Sequence, residues 1–437
     1  MPKTVIIGAG SGFGSRLSVD ILAHEGLRSG AIALVDIDKR RNDWVAAYVK
    51  RAAKEFGAAV EVLATTDRRE ALRGADFVVT SFHIGGPAYA GKPYFYDVEI
   101  PNKYGVYQTV ADTIGPGGIA RFLRTMPTLA QMLRDMEELC PNACVLNYVN
   151  PMGMLTWAAN ETTSLRFIGL CHSVQGTAED IAELLGMRYE ELRYRAAGIN
   201  HMAWFLDLRR GDEDLYPRFR QLAESSKEWL ERNYVRNDIM RSFDYFPCES
   251  SRHHAEYYPY FRKSQKALDH YRESAPRTID PNAGYERRDA RWQSEEMQAI
   301  LSGEGEIDLS ASNEFAATII NSTVSGEVSS IYANVKNRGL IPNLPPDCIV
   351  EVPALVDHNG WQPCYFGELP PQCAALNAAH VSVQRVAVQA WKERSRDKAI
   401  QAMMLDPLTA AVCTLDEARA MANELLDSQP EHLGYLK

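Results

Sequence analysis

An α/β fold is predicted, a parallel sheet followed by a mixed α+β unit, and three observations carry it. The β-branched run Thr4–Ile7 passes directly into Gly8-Ala9-Gly10-Ser11-Gly12-Phe13-Gly14. Strand and helix patterns then alternate through the N-terminal third. Past Asn200 that alternation gives way to a charged stretch, 212–300, rich in Tyr, Arg and Glu.

The elements read in order as a strand at Thr4–Ile7, a helix at Gly14–His24, a strand at Ala31–Asp36 and a helix from Asp38 to about Phe56. A short strand (Val60–Thr65), a helical turn (Arg68–Leu72) and a strand (Asp76–Phe82) follow. After a loop come a helix (Ile119–Leu139) and two more strands, Ala143–Tyr148 and Arg166–Leu170. Strands separated by helices of this length imply a parallel sheet with right-handed crossovers, here Rossmann-like. Later on, Glu314–Ser325 reads as a helix, and Ser330–Asn334 and Cys348–Val352 as strands. Ala375–Arg394 and Thr414–Leu426 close the chain as helices, Thr414 serving as N-cap of the second. The change of pattern divides the 437 residues into 1–195, a nucleotide-binding unit, and 196–437, a substrate, metal and oligomerisation unit.

A content of 46% apolar and 24% charged residues is that of a soluble globular chain. The net charge of −10 argues against nucleic acid or an anionic membrane as a partner. With no run of eighteen apolar residues, no transmembrane helix is expected. Val5–Ile7 is too short for the apolar region of a secretory signal. Eight scattered cysteines need no disulfide framework and are expected to be mostly small buried residues in a cytoplasmic protein.

In the glycine loop, Gly8 permits the tight turn and Gly10 lets the backbone approach a pyrophosphate, while the helix N-terminus supplies amide donors. The third glycine falls at Gly14, although Gly12 offers a rival register; Ser11 and Phe13 complete the loop. Asp36, at the end of the strand within IALVDID, is placed to accept hydrogen bonds from a ribose 2′-hydroxyl and would repel a 2′-phosphate, which favours NAD over NADP.

NYVNPMGM (147–154) follows a strand at the carboxyl edge of the sheet, so Asn147 and Asn150 either bond a ligand's hydroxyls or cap the following turn. Cys171 and His172 stand at the next strand's end, and His201 sits in GINHMAWF. A thiolate and an imidazole suit a borderline divalent ion. Their spacing matches no usual zinc finger, so the choice lies between an open site, completed by substrate and water, and ordinary buried side chains.

Six blocks in order resemble glycoside hydrolase family 4: GAGSGFGS, ADTIGPGGIARFLRT (111–125), NYVNPMGM, LCHSVQGTAE, AGINHMAWF and ESSRHHAEYYPYF (249–261). CHSVQGTAE with AGINHMA is most similar to the melibiase-type α-galactosidases. The resemblance implies a C-terminal part like that of lactate and malate dehydrogenases, with NAD and Mn²⁺ (or another divalent metal) as cofactors. It implies Cys171 and His201 as metal ligands, and Asn150 and Asp112 beside the sugar. It also implies Tyr257 as the base for the C2 proton, with Tyr258 one register away. His172 falls where some members have an Asp suggested to protonate the leaving oxygen. The implied reaction oxidises C3 of the sugar, removes the C2 proton, eliminates the aglycone, adds water and returns the hydride, departing from the usual two-carboxylate scheme. The implied partner is a small glycoside, with assembly as a homodimer or homotetramer. Two alternatives stand beside an α-galactoside: an α-galacturonide or α-glucuronide substrate, and, in a different class, a malate- or lactate-type dehydrogenase. Arg287, Arg288 and Arg291 could meet a sugar phosphate but read more simply as a solvated helix face.

Overall fold

In the computed structural model, which describes residues 1–271 and 277–437, the first strand is β1 (Lys3–Ile7), with Val5, Ile6 and Ile7 all buried. Continuous burial of this kind marks a strand covered by helices on both faces. The same holds for β2 (Ala31–Val35), β4 (Phe77–Thr80), β5 (Cys144–Asn147) and β6 (Arg166–Gly169), while β3 (Glu61–Thr65) forms the exposed edge. All six run parallel, in the order β3-β2-β1-β4-β5-β6. The strand order reverses between β1 and β4, which opens a crevice at their carboxyl ends where ligands of such sheets bind.

The sheet does not stop at β6. Asn334 of β11 (Ser329–Lys336) pairs with Gly169, and the direction switches to antiparallel through β12 (Ile349–Asp357), β7 (Arg193–Ile199), β8 (Met202–Arg210) and β10 (Phe246–Pro247). With β9 (Glu213–Asp214) and β13 (Gly360–Pro363) attached at its side, it contains thirteen strands among the described residues. Strands from both halves of the chain therefore share one sheet, and β7 and β8 bring their turn back toward the end of β6.

Several sequence boundaries shift. The first helix spans Gly12–Ala23 rather than starting at Gly14, because Ser11 caps it, accepting from the Phe13 amide. β11 and β12 extend beyond the expected Ser330–Asn334 and Cys348–Val352. A helix at Tyr94–Lys103 lies where a loop was expected; it carries Pro101, and its Asp97 forms a fully buried pair with Arg124 of the helix Gly115–Leu139. The eight cysteines are free thiols, and among the described residues no helix is long and apolar enough to cross a membrane.

Candidate active site

The crevice at the ends of β1 and β4 is a cleft of about 350 Å³, with Asp36 and Arg41 at one end and Tyr89 and Asn150 at the other. Gly8 turns in the left-handed region at φ 86°, and a Cβ there would meet the Ser81 carbonyl oxygen at 2.6 Å. At Gly14 a Cβ would meet the Ala9 carbonyl oxygen at 2.1 Å, whereas at Gly12 it would meet nothing within 4 Å. The packing glycine is thus Gly14, and Gly12 leaves space open over the loop. Gly10 donates its amide to Asp36 Oδ2 at 2.8 Å, and the Asp38 amide donates to Asp36 Oδ1 at 2.9 Å. Each carboxylate oxygen keeps acceptor capacity toward the cleft. Arg41 is already engaged: it forks onto Asp38 and stacks 3.4 Å from the ring centre of Tyr285. The helix Gly12–Ala23 has no acidic residue in its first turn, so its dipole faces the cleft uncancelled.

The two asparagines of NYVNPMGM separate clearly. Asn147 is buried and its amide is fully used, accepting from Thr80 Oγ1 at 2.8 Å and donating to the Val149 carbonyl at 3.1 Å. Asn150 donates to Asp112 Oδ2 at 2.9 Å, but its own Oδ1 is buried without a partner. That vacant acceptor, on the wall of the cleft, suits a sugar hydroxyl.

Asp112, only 1% exposed, also accepts from Tyr89 Oη at 3.0 Å and Thr113 Oγ1 at 2.8 Å. Burial works against its charge, but His253, Arg121 and His201 hold the carboxyl below its ordinary range. Thr113 Oγ1 lies 3.2 Å from His201 Nδ1, which in turn lies 3.2 Å from Tyr257 Oη. Hydrogen bonds therefore link the cleft wall to the buried tyrosine through Asp112, Thr113 and His201.

His201 reaches this point because Asn200 and His201 are the two-residue turn of the β7–β8 hairpin, where Ile199 pairs with Met202. Cys171 arrives from the carboxyl end of β6, just ahead of the helix Ser173–Leu185. Tyr257 ends the short helix Ser251–Tyr257, which Ser250 caps and β10 docks against β8. The ligand atoms of Cys171, His201 and Glu249 all lie within 4.8 Å of one another. With Nδ1 of His201 facing two hydroxyls, Nε2 is the nitrogen left for an ion. Burial, aided by Glu351, pushes the Cys171 thiol up to about 12, so a thiolate forms there only with a cation at hand. A thiol, an imidazole and a carboxylate form a donor set that fits a borderline divalent ion.

His172 is half exposed, and its Nδ1 lies 3.0 Å from Glu314 Oε1. That hydrogen bond raises its pKa to about 9, leaving the ring protonated at neutral pH. Glu314 borders a second, more open cleft across the glycine loop, and Arg287, Arg288 and Arg291 line it as well. These arginines are exposed, yet they face the glycine loop rather than bulk solvent alone.

Sequence reasoning missed Glu256, whose Oε2 accepts the amides of Thr109 at 2.6 Å and Val110 at 3.0 Å and, at 3.2 Å, that of Ala111. One buried carboxylate thus clamps the loop bearing Asp112 onto the helix bearing Tyr257. Glu249 and His253 were also missed. The signal was an unusual density of acid and imidazole in ESSRHHAEYYPYF, flanked by residues that bury.

The model of the family 4 glycosyl hydrolases matches residues 3–187, and that of the family's C-terminal domain matches residues 196–409. An α-galactosidase of Bacillus subtilis is 37% identical, covering 99% of both chains. An α-galacturonidase of the same organism is 30% identical, over 97% of this chain and 96% of that one. The crystal structure of lplD from Bacillus subtilis superposes with a TM-score of 0.83 at 27% identity, over 97% of this chain and 99% of that one. Two more distant structures share the fold. A 6-phospho-α-glucosidase from gut microorganisms, solved with NAD and Mn²⁺, has a TM-score of 0.81 at 22% identity, with 98% of each chain covered. A malate dehydrogenase from Salinibacter ruber has 0.54 at 12%, over 89% of this chain and 98% of that one.

Proposed function

The chain belongs to the family 4 glycosyl hydrolases, and on that premise we propose that it hydrolyses α-galactosides with NAD⁺ and a divalent metal, Mn²⁺ by preference. The observation that carries this reading is the meeting of Cys171, His201 and Tyr257, linked through Thr113 and Asp112 to the cleft lined by the glycine loop, Asp36 and Asn150. When bound, NAD⁺ supplies a hydride acceptor for C3 of the sugar and the ion supplies Lewis acidity, which together make the C2 hydrogen acidic.

Gly8, Gly10, Ser11, Gly12 and Phe13 cradle the dinucleotide and Asp36 holds its ribose; Asn150, braced by Asp112, holds the sugar through its vacant Oδ1. Tyr257 removes the C2 proton. Burial, with Asp112 and Glu256 adding to it, pushes that phenol well above 10, so its ionisation depends on positive charge at Cys171 and His201. Tyr258 is the weaker candidate, since its hydroxyl is buried with no partner. His172, protonated through Glu314, donates a proton to the leaving oxygen. With acid and base assigned to separate side chains, elimination and the later addition of water need no carboxylate pair.

A galacturonide is the second reading, favoured by Arg121. Its guanidinium lines the cleft and lies 5.4 Å from the ring centre of Tyr89, where it could meet a sugar carboxylate. We place the division into 1–195 and 196–437 within one shared sheet, and the assembly as a homodimer or homotetramer in a reducing cytoplasm, a compartment that suits a thiol ligand.

The test is aglycone release from p-nitrophenyl α-galactoside and p-nitrophenyl α-galacturonide. Release from the galactoside that requires both NAD⁺ and Mn²⁺, with no net NADH, is expected. Preference for the galacturonide selects the second reading. NADH accumulating on a hydroxy acid without added metal contradicts both.

A further inference from the structure

Glu249 stands beside Cys171 and His201 but has no role in the proposed reaction, and its backbone is held in an uncommon conformation. It sits at φ 69°, in the left-handed region that a residue with a Cβ rarely adopts, between β10 and the helix Ser251–Tyr257. Its amide donates to Thr177 Oγ1 at 3.0 Å, which fixes that conformation from the helix following Cys171. Strain of this kind persists where the surrounding structure over-determines it, often at ligand sites. Here it turns the side chain inward, leaving it 16% exposed.

The carboxylate arrives beside the two expected metal ligands, its oxygen within 4.8 Å of the donor atoms of both Cys171 and His201. Oε1 faces His253 Nδ1 at 3.1 Å, and His253 Nε2 lies 3.9 Å from Asp112. Carboxylates that bind metals are commonly held in this way by an outer partner, with the second oxygen left for the ion. Charge balance points the same way. A dication on one thiolate and one neutral imidazole leaves a net positive charge among buried groups, whereas a carboxylate neutralises it.

We infer that Glu249 is a third protein ligand of the divalent ion, an inference that rests on the proposed Cys171–His201 site and adds a carboxylate to it. The ion would then be held by sulfur, nitrogen and oxygen donors of the chain itself. Such a site binds its metal before substrate arrives, because three of its ligands belong to the protein.

Titration of the intact, sugar-free protein with Mn²⁺, followed by the paramagnetic resonance of the free aquo ion, reads this directly. Outer partners of metal ligands carry about 10–100-fold in affinity, so His253→Gln is expected to weaken Mn²⁺ binding by about tenfold, and Glu249→Gln, which removes a ligand, by about a hundredfold or more. Glu249→Asp keeps the charge but withdraws the oxygen, and is expected to bind more weakly than the parent. This second variant also carries the test if the Gln variant does not fold. Parental affinity in either Glu249 variant, or equal losses in Glu249→Gln and His253→Gln, overturns the inference. Cys171→Ser separates the two levels. If it loses Mn²⁺ while Glu249→Gln keeps it, only the third ligand falls; if both keep it, the site itself falls with it.

Discussion

Tyr257 and Tyr258 are neighbours of the same type, both buried, and only their surroundings tell them apart. One hydroxyl faces His201 at 3.2 Å, and the other faces no polar partner. Tyr257→Phe is therefore expected to lower kcat/KM by about 10²–10⁴-fold, the worth of a positioned general base. Tyr258→Phe removes a hydroxyl that bonds nothing and is expected to leave kcat within about threefold, a surplus small beside that of a base. Steady-state rates on the same α-galactoside check both. At Asp36 the expected effect is on the cofactor. Charge-assisted hydrogen bonds contribute about 1.5–3 kcal/mol each, so Asp36→Ala should raise the dissociation constant for NAD⁺ by about 10–100-fold while narrowing the gap to NADP⁺. Fluorescence titration with both dinucleotides measures it. The position of Asp36 was readable from the sequence because it follows from local order, a strand end after a glycine turn. Glu249 was not, because nothing near it in the chain says that it will stand beside Cys171 and His201.

Among the elements, the glycine loop and the β7–β8 hairpin lie at opposite ends of that legibility. The loop's geometry is set within a dozen residues, and structure adds only which glycine packs. Gly14→Ala would drive a Cβ into the Ala9 carbonyl, a backbone atom that cannot step aside. It is expected to destabilise the fold by about 1–3 kcal/mol, the usual cost of forced overpacking. Gly12→Ala, with nothing within 4 Å of the added atom, should fold within about 0.5 kcal/mol of the parent. Urea unfolding of the two variants gives the comparison. The hairpin was legible as GINHMAWF but not as a turn. Its place is fixed by pairing with β12 and β10, whose residues lie far along the chain. The helix Tyr94–Lys103 escaped for another reason: Pro101 inside it reads as a breaker, and the buried Asp97–Arg124 pair that anchors it is a tertiary contact.

For the whole molecule, a parallel half was visible as alternating strands and helices, while its fusion to an antiparallel half through Gly169 and Asn334 was not. One sheet carries the cofactor cleft and the hairpin of His201, so site and stability share buried charge. Burial pushes His254 down to about 3 and His380 down to about 4, and pushes Glu351 up to about 7 and Asp406 up to about 6. The unfolded chain protonates its histidines below 6.5, so the first pair makes stability fall as pH drops from there. The second pair takes up protons in the folded state first, so it makes stability rise as pH drops toward their unfolded values of 4.5 and 3.8. These slopes oppose each other in mildly acidic solution and leave a plateau. Glu249 and Asp112 are held low by His253 against the effect of burial, so as pH falls below their unfolded values of 4.5 and 3.8 the unfolded chain takes up protons that the folded state resists, and stability falls. Denaturant midpoints are expected to stay level down to about pH 4.5 and then drop. The central claim, that hydrolysis proceeds through loss of the C2 proton to Tyr257, is tested most directly by running the reaction on an α-galactoside in D₂O. Deuterium at C2 of the released galactose, present with NAD⁺ and Mn²⁺ and absent from the Tyr257→Phe protein, is the expected result. Galactose released at full rate with its C2 hydrogen intact would contradict the account.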